Sequence, residues 1–89
     1  MSGFEILKKM GYQVSNRGIL STARSRLEFI PWHQIKSISV YTISHQAMIG
    51  CELWKKQKDF EILFEGKQDA LKVYTHLGEK FIQSLDNKV

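Results

Sequence analysis

Basic residues interleaved with aromatic ones are the part of this sequence with the clearest chemical potential. Lysine and arginine bind phosphate groups, and exposed tyrosine or tryptophan rings stack on nucleobases. The candidates for such a nucleic-acid or anionic-ligand surface are Arg17, Arg24, Arg26, Lys36, Lys55, Lys56, Tyr41 and Trp54, with Tyr12 if it shares their face. The competing interpretation places Trp32 and Trp54 in the core or in a dimer interface, because a buried tryptophan contributes a large apolar area.

Arg24 and Arg26 are separated by one serine. On an extended chain, side chains two residues apart point the same way, so the two guanidinium groups would face one anionic ligand. The alternative is a loop whose charges are simply hydrated.

The sequence lacks the residue patterns typical of a metal site or an enzyme. His33, His45, His76 and Cys51 do not have the close spacing of zinc ligands. There is no glycine-rich phosphate loop and no GxSxG elbow. We expect each histidine to be exposed or partly buried, and Cys51 to be a small core residue. The sequence predicts no catalytic residue, no metal and no cofactor, and we do not expect an enzyme.

Composition indicates one folded domain spanning residues 1–89, since the chain is 43% hydrophobic and 25% charged. The net charge of +4 is unevenly distributed: residues 1–58 carry +6 and residues 59–89 carry −2. The basic part could attract nucleic acid or an acidic surface, or could serve solubility alone. A single cysteine, no apolar run of roughly 20 residues and no signal-peptide pattern favour a cytoplasmic location.

The first third of the chain predicts short elements. Ser2 and Glu5 have capping-box spacing, and a short helix over residues 2–10 would end at Gly11, with Phe4, Leu7 and Met10 on its apolar stripe. An extended edge strand is the alternative for this segment. Residues 12–20 predict two short strands or one bent strand, with a turn at residues 16–18.

The central segment, residues 27–41, predicts a structural corner. A strand over residues 27–31 must stop at Pro31, which lacks a backbone donor, and Trp32 would anchor the turn. The next strand is predicted to place Ile38 and Val40 on one face with Lys36, and Ile35 on the other. Residues 48–56 and 60–64 alternate as a hairpin joined by a charged turn.

The C-terminal segment changes to helical periodicity. Apolar residues three and four apart over residues 67–85 form one broad stripe, interrupted only by Gly78. The predicted fold class is therefore α+β, mainly β: an antiparallel sheet or partial barrel of about five to seven strands capped by a C-terminal helix.

The run at residues 30–38, IPWHQIKSI, followed by a strand hairpin and a helix that opens with Asp69-Ala70, resembles the bacterial pleckstrin-homology-like (PH-like) domains. The resemblance covers residues 11–83, although the chain is short for the seven strands of that family. It implies a non-catalytic scaffold that binds a protein partner or its own copies. It also implies, through eukaryotic relatives, anionic lipid binding by Arg24 and Arg26 in the loop joining the first strands, a property that most bacterial members lack.

Three functions remain open from the sequence. The first is a PH-like interaction or assembly module that binds a protein partner or forms a homo-oligomer. The second is a small basic protein that binds single-stranded DNA or RNA. The third is peripheral contact with acidic lipid. Edge strands of a short, incomplete barrel could also pair with another copy, and residues 60–64 are apolar enough to need such protection. Self-association by edge pairing would extend the small core that 89 residues can build.

Overall fold

The structure, a computed structural model, describes residues 1–22, 27–55 and 58–86. Within these ranges, two helices, one 3₁₀ turn and six strands follow one another. They are α1 (Gly3–Met10), β1 (Tyr12–Val14), β2 (Gly18–Ser21), β3 (Glu28–Pro31), a 3₁₀ turn (Trp32–Gln34), β4 (Ile35–Ile43), β5 (Gln46–Leu53), β6 (Phe60–Phe64) and α2 (Lys67–Asp86).

Helix α1 begins and ends where the sequence predicts. The Ser2 hydroxyl accepts a hydrogen bond from the Glu5 amide, and Gly11 closes the helix in the left-handed conformation with φ 94°. Its buried stripe differs from the predicted one, because Gly3, Ile6 and Leu7 face the core while Phe4 is exposed. Helix α1 packs along α2, and this contact decides which of its faces is buried.

Strands β1, β2 and β3 form the first antiparallel sheet, in that order. The predicted turn joins β1 to β2, and Pro31 ends β3 as expected. The buried Trp32 then anchors the corner, because its Nε1 donates a 2.8 Å hydrogen bond to the Ser15 carbonyl. Trp32 thus ties the end of β3 to the β1–β2 hairpin.

Strands β4, β5 and β6 form the second antiparallel sheet, also in chain order. The β5–β6 pairing and the bounds of β6 are as predicted, but β5 begins two residues earlier and ends three residues earlier than the predicted strand over residues 48–56. The predicted faces of β4 are wrong at its start, because a β-bulge lies between Ile35 and Ser37. The extra residue, Lys36, shifts the alternation, so Ile35 reaches the buried side together with Ile38.

Helix α2 covers the inner face of the second sheet, with Ala70, Val73 and Leu77 fully buried against it. Residues from both sheets and both helices contribute to one hydrophobic core. Helix α2 runs one residue beyond the predicted end.

The α+β, mainly β fold class and the C-terminal helix are confirmed. The sheet prediction needs correction, since the six described strands form two three-stranded sheets and neither a single sheet nor a closed barrel. The division occurs at the corner that Pro31 and Trp32 form between β3 and β4. Neither described helix is both long and apolar enough to span a membrane.

Candidate interaction surface

Strand β4 is an open edge of the second sheet. It pairs with β5 on one side, and no strand in the described ranges pairs with the other. A two-residue turn at Ser44 and His45, with Ser44 at φ 59°, closes the β4–β5 hairpin. Hydrogen-bonded and non-bonded pairs alternate from this turn, so Ile38, Val40 and Thr42 direct their backbone polar groups away from β5.

The open edge lacks the features that usually protect a strand from pairing. Residues 37–43, SISVYTI, contain no charge and no proline, and four of the seven are β-branched. Natural proteins normally protect such an edge with lysine, proline, a bulge or a covering segment. Here the bulge and Lys36 lie at the start of β4, which leaves the following seven residues unprotected.

An apolar groove of about 550 Å³ lies between β4 and α2. Its β4 side includes Ile38, and its α2 side includes Tyr74, Gly78, Phe81 and Ile82. Ile38 is only partly buried, although its side chain is on the core side of the sheet. The hydrophobic core is therefore open to solvent along this edge.

The outer face of the second sheet carries Tyr41, which lies across all three strands. Its hydroxyl donates a 2.7 Å hydrogen bond to Glu61 Oε2 on β6, and it also lies 3.2 Å from Met48 Sδ on β5. The hydrogen bond to Glu61 raises the pKa of Tyr41, and desolvation and the nearby negative charges add to the effect. A Cβ at Gly50 would meet the Tyr41 ring at 3.4 Å, so the ring lies over this glycine.

Lys36 and Trp54 lie together at the other end of the same face. The Lys36 ammonium lies 5.1 Å from the Trp54 ring centroid and 3.3 Å from Glu52 Oε1. Trp54 is 63% exposed, so of the two places suggested for the tryptophans, the core or a dimer interface, the core is confirmed for Trp32 and excluded for Trp54. Trp54 directly follows Leu53, the last residue of β5.

The remaining predicted site residues do not join this cluster. Tyr12 is buried and packs edge-to-face on Phe60, so it cannot contribute to a binding surface. Arg17 is exposed at the β1–β2 turn, in the other sheet, and Lys55 is exposed beside Trp54. Arg24, Arg26 and Lys56 lie outside the described residues.

The described part of the outer face mixes carboxylates with the predicted basic and aromatic residues. Of its predicted residues, Lys36 is paired with Glu52 and Tyr41 with Glu61. Glu61 belongs to the acidic part of the chain, residues 59–89. Because β6 pairs with β5, which belongs to the basic part, residues from both parts lie on one face of the sheet. These carboxylates lower the positive potential that a phosphate backbone requires.

The histidines and the cysteine have the predicted environments. His33 and His45 are exposed and His76 is partly buried. Cys51 is fully buried, and burial raises the pKa of its thiol to about 12, with Asp59 adding to the shift, so the thiol is protonated at neutral pH. Within residues 1–22, 27–55 and 58–86, no three potential metal ligands cluster together.

Sequence reasoning missed the groove residues. The sequence pattern places Ile38 on one face of a strand and Ile82 in the helical stripe that Gly78 interrupts, yet all three line a surface open to solvent. The charge-free run in β4 was the available signal, since it is unusual for an edge strand. No family model, curated protein or solved structure matches this chain.

Proposed function

We propose that this protein is a non-enzymatic interaction module that binds an extended protein segment along the open edge of β4. The observation that carries the proposal is the adjacency of two features: an uncharged, unpaired strand edge and an apolar groove against α2. The edge alone would bind without selectivity and the groove alone without backbone pairing. Side by side, they offer a segment both backbone and side-chain contacts.

The binding mode follows from these two features. An added strand would hydrogen-bond to the outward-facing backbone groups of Ile38, Val40 and Thr42, which supplies affinity independent of sequence. Alternate side chains of the added strand would enter the groove beside Gly78 and Ile82, which supplies specificity for apolar residues. The bound segment would also shield the partly buried Ile38 from water.

A relationship to the bacterial PH-like domains is part of this proposal. Antiparallel strands followed by a C-terminal helix, and the corner at Pro31 and Trp32, support it. The described strands number six, one fewer than the seven of that family, and helix α1 is an addition to the pattern on which the resemblance rests.

Nucleic-acid binding is the second candidate, favoured by one observation. Trp54 presents an exposed ring with Lys36 above it and Lys55 next to it in the chain, an arrangement able to stack a base beside a phosphate. Glu52 and Glu61 on the same face weigh against it. Lipid binding by Arg24 and Arg26 stays a prediction for residues outside the described ranges.

The proposal is tested by selecting random 12-residue peptides displayed on phage and mapping a selected peptide by amide chemical shifts. We expect selected peptides to alternate apolar residues and to shift the amides of Val40, Thr42 and Ile82. Thr42→Pro, which removes one outward-facing donor, and Ile82→Lys, which places a charge in the groove, should each weaken binding about tenfold. Leu63→Lys, a change at a similarly exposed apolar residue on the outer face, is the matched control and should not.

Labelled single-stranded DNA and acidic vesicles are the competing probes. Micromolar DNA binding that falls steeply with salt and is lost in Trp54→Ala or Lys36→Ala would replace the proposal with the nucleic-acid function. Flotation with acidic vesicles that is lost in the Arg24→Ala, Arg26→Ala double variant would replace it with lipid binding. Selected peptides whose shifts fall outside β4 and α2 would also contradict it.

A further inference from the structure

Helix α2 exposes a second apolar feature beside the open edge. One side of α2 carries a solvent-facing stripe whose members are alternately four and three residues apart. They are Leu71, Thr75, Gly78, Ile82 and Leu85. Its three large aliphatic residues are 54%, 58% and 51% exposed, in chain order. Thr75, Gly78 and Ile82 also line the groove against β4, so the stripe and the strand edge are continuous.

We propose that the segment bound at this surface is β4 of a second copy of the chain, so that the protein forms a two-fold symmetric dimer. The two β4 strands pair antiparallel into one six-stranded sheet, and the two α2 stripes pack on each other above it. This inference rests on the proposed function, since it names the partner for the same edge.

Backbone geometry selects the position of the two-fold axis. The axis must lie beside a residue whose backbone N–H and C=O point away from β5. Ile38, Val40 and Thr42 meet this condition, and Val40 is the middle one of the three. Val40 then exchanges both backbone hydrogen bonds with the partner's Val40, and Ile38 with the partner's Thr42. All these side chains lie on the same face of the sheet as α2, so the pairing also extends the apolar floor of the groove.

Charge is compatible with self-pairing. No charged residue lies in residues 37–43 or in the α2 stripe, and the two charged residues that line the groove, Lys36 and Glu79, are of opposite sign. Lys36 would face the partner's Ser44 in this register, so the two lysines lie at opposite ends of the paired strands. Like charges, which normally oppose the pairing of two identical edges, are absent from this strand contact.

Packing of identical stripes is also favoured by their spacing. Alternating steps of three and four residues keep one side of a helix facing a neighbouring helix, and Gly78 near the middle allows two backbones to approach closely. A foreign segment could occupy the strand edge and the groove, but it would leave the rest of the exposed α2 stripe uncovered unless its protein also supplied an apolar helix side. A second copy supplies both the strand and the helix side by symmetry.

The dimer closes and does not extend into a fibre because its contact is isologous: both copies use the same β4 edge, and one two-fold pairing occupies that edge on each of them. At the other edge strand of this sheet, Phe60 of β6 packs against Tyr12 of β1. A stable interface buries about 800 Å² per partner, which is roughly one eighth of the 6292 Å² surface of this chain.

Sedimentation velocity of the full chain over micromolar to millimolar concentration tests the inference. We expect the mass to rise from 10.4 kDa toward twice that value. The Ile82→Lys, Leu85→Lys double variant and, separately, Thr42→Pro should weaken dimerisation about tenfold or more. Leu63→Lys should leave it unchanged, and far-ultraviolet circular dichroism of each variant checks that it is folded.

Two outcomes would overturn the inference: a monomer at every concentration, or a dimer that responds to Leu63→Lys and not to the β4 and α2 changes. The first outcome leaves the proposed function standing if selected peptides still bind at β4. Loss of both dimerisation and peptide binding at β4 would remove the inference and the proposed function together.

Discussion

The Tyr41 hydroxyl donates a 2.7 Å hydrogen bond to Glu61 Oε2, so a residue of β4 is joined to a residue of β6 across the intervening strand. The Tyr41 ring reaches over Gly50 of β5 to make this contact. One of the aromatic residues suggested for base stacking is thereby held against a carboxylate. This pairing leaves the inner side of β4, and its open edge, as the better candidate for binding.

The pair predicts a change in the titration of Tyr41. The hydrogen bond from the neutral hydroxyl to the Glu61 carboxylate disfavours the tyrosinate and raises the pKa of Tyr41. Glu61→Gln removes the charge, so we expect the pKa of Tyr41 to fall toward its ordinary value. NMR titration of ring-labelled tyrosine, with Tyr41→Phe to assign the signal, measures the shift. An unchanged pKa of Tyr41 in Glu61→Gln would show that the pair is not formed in solution.

We predict that substituting phenylalanine lowers the free energy of unfolding more at Trp32 than at Trp54. Trp32 is 3% exposed and donates its indole hydrogen to the Ser15 carbonyl, so Trp32→Phe removes that donor and leaves a gap in the core. We expect the free energy of unfolding to fall by about 2–3 kcal/mol. Trp54→Phe, at an exposed site, should change it by less than about 1 kcal/mol. Urea denaturation compares them, and equal losses would contradict the corner role of Trp32.

We predict that substitution by alanine changes the stability of the fold in opposite directions at two helical glycines, Gly3 and Gly78. A Cβ at Gly3 would collide with the Lys72 carbonyl and the His76 Cβ, so Gly3→Ala should push α1 away from α2 and destabilise the fold by about 1–3 kcal/mol. A Cβ at Gly78 meets nothing within 4 Å, so Gly78→Ala should stabilise α2 by about 0.5–1 kcal/mol. Thermal unfolding at dilute concentration separates the two cases. A neutral or stabilising Gly3→Ala would argue against close packing of α1 on α2.

We predict that the partly buried His76 makes the folded protein less stable in mild acid. Its Nε2 is buried with no hydrogen-bond partner among the described residues, and its ring meets Phe4 edge-on at a centroid distance of 5.9 Å. Desolvation lowers the pKa of His76 and the Lys80 charge adds to this, while Glu79 opposes it. The unfolded chain then binds the proton more readily, so stability is intact above the ordinary histidine pKa of about 6.5 and falls as pH drops below it.

The His76 prediction has a direct control. Between about pH 7.5 and pH 5.5, the free energy of unfolding of the wild type should fall more than that of His76→Gln. His33→Gln, at an exposed position, should follow the wild type. If His33→Gln and His76→Gln show the same pH dependence, the low pKa of His76 is not responsible.

Local periodicity was sufficient to predict most elements. The bounds of β6, the start of α2 and the capping of α1 by Ser2 all depend on residues close in sequence. The division into two sheets was not predictable in this way, because it depends on how the chain turns at Trp32 and packs afterwards.

The candidate site was predicted less well, because exposure is decided by distant contacts. Tyr12 is buried by Phe60, which is 48 residues later in the chain, and Tyr41 meets Glu61 from the acidic part. The bulge at Lys36 reversed the expected alternation of Ile35, and no single residue in the sequence marks it. Each of these outcomes is set by strand register, which the sequence pattern constrains only where one face is clearly apolar.

Amide hydrogen exchange along β4 tests the central claim most directly, because it reports whether the outward-facing groups of the open edge become hydrogen-bonded. In dilute protein we expect rapid exchange at Ile38, Val40 and Thr42, and slow exchange at Ser39 and Tyr41, which bond to β5. Protection of the first three should rise with protein concentration or with a selected peptide. Rapid exchange at these three amides under every condition, while a partner or a second copy is bound, would contradict the account.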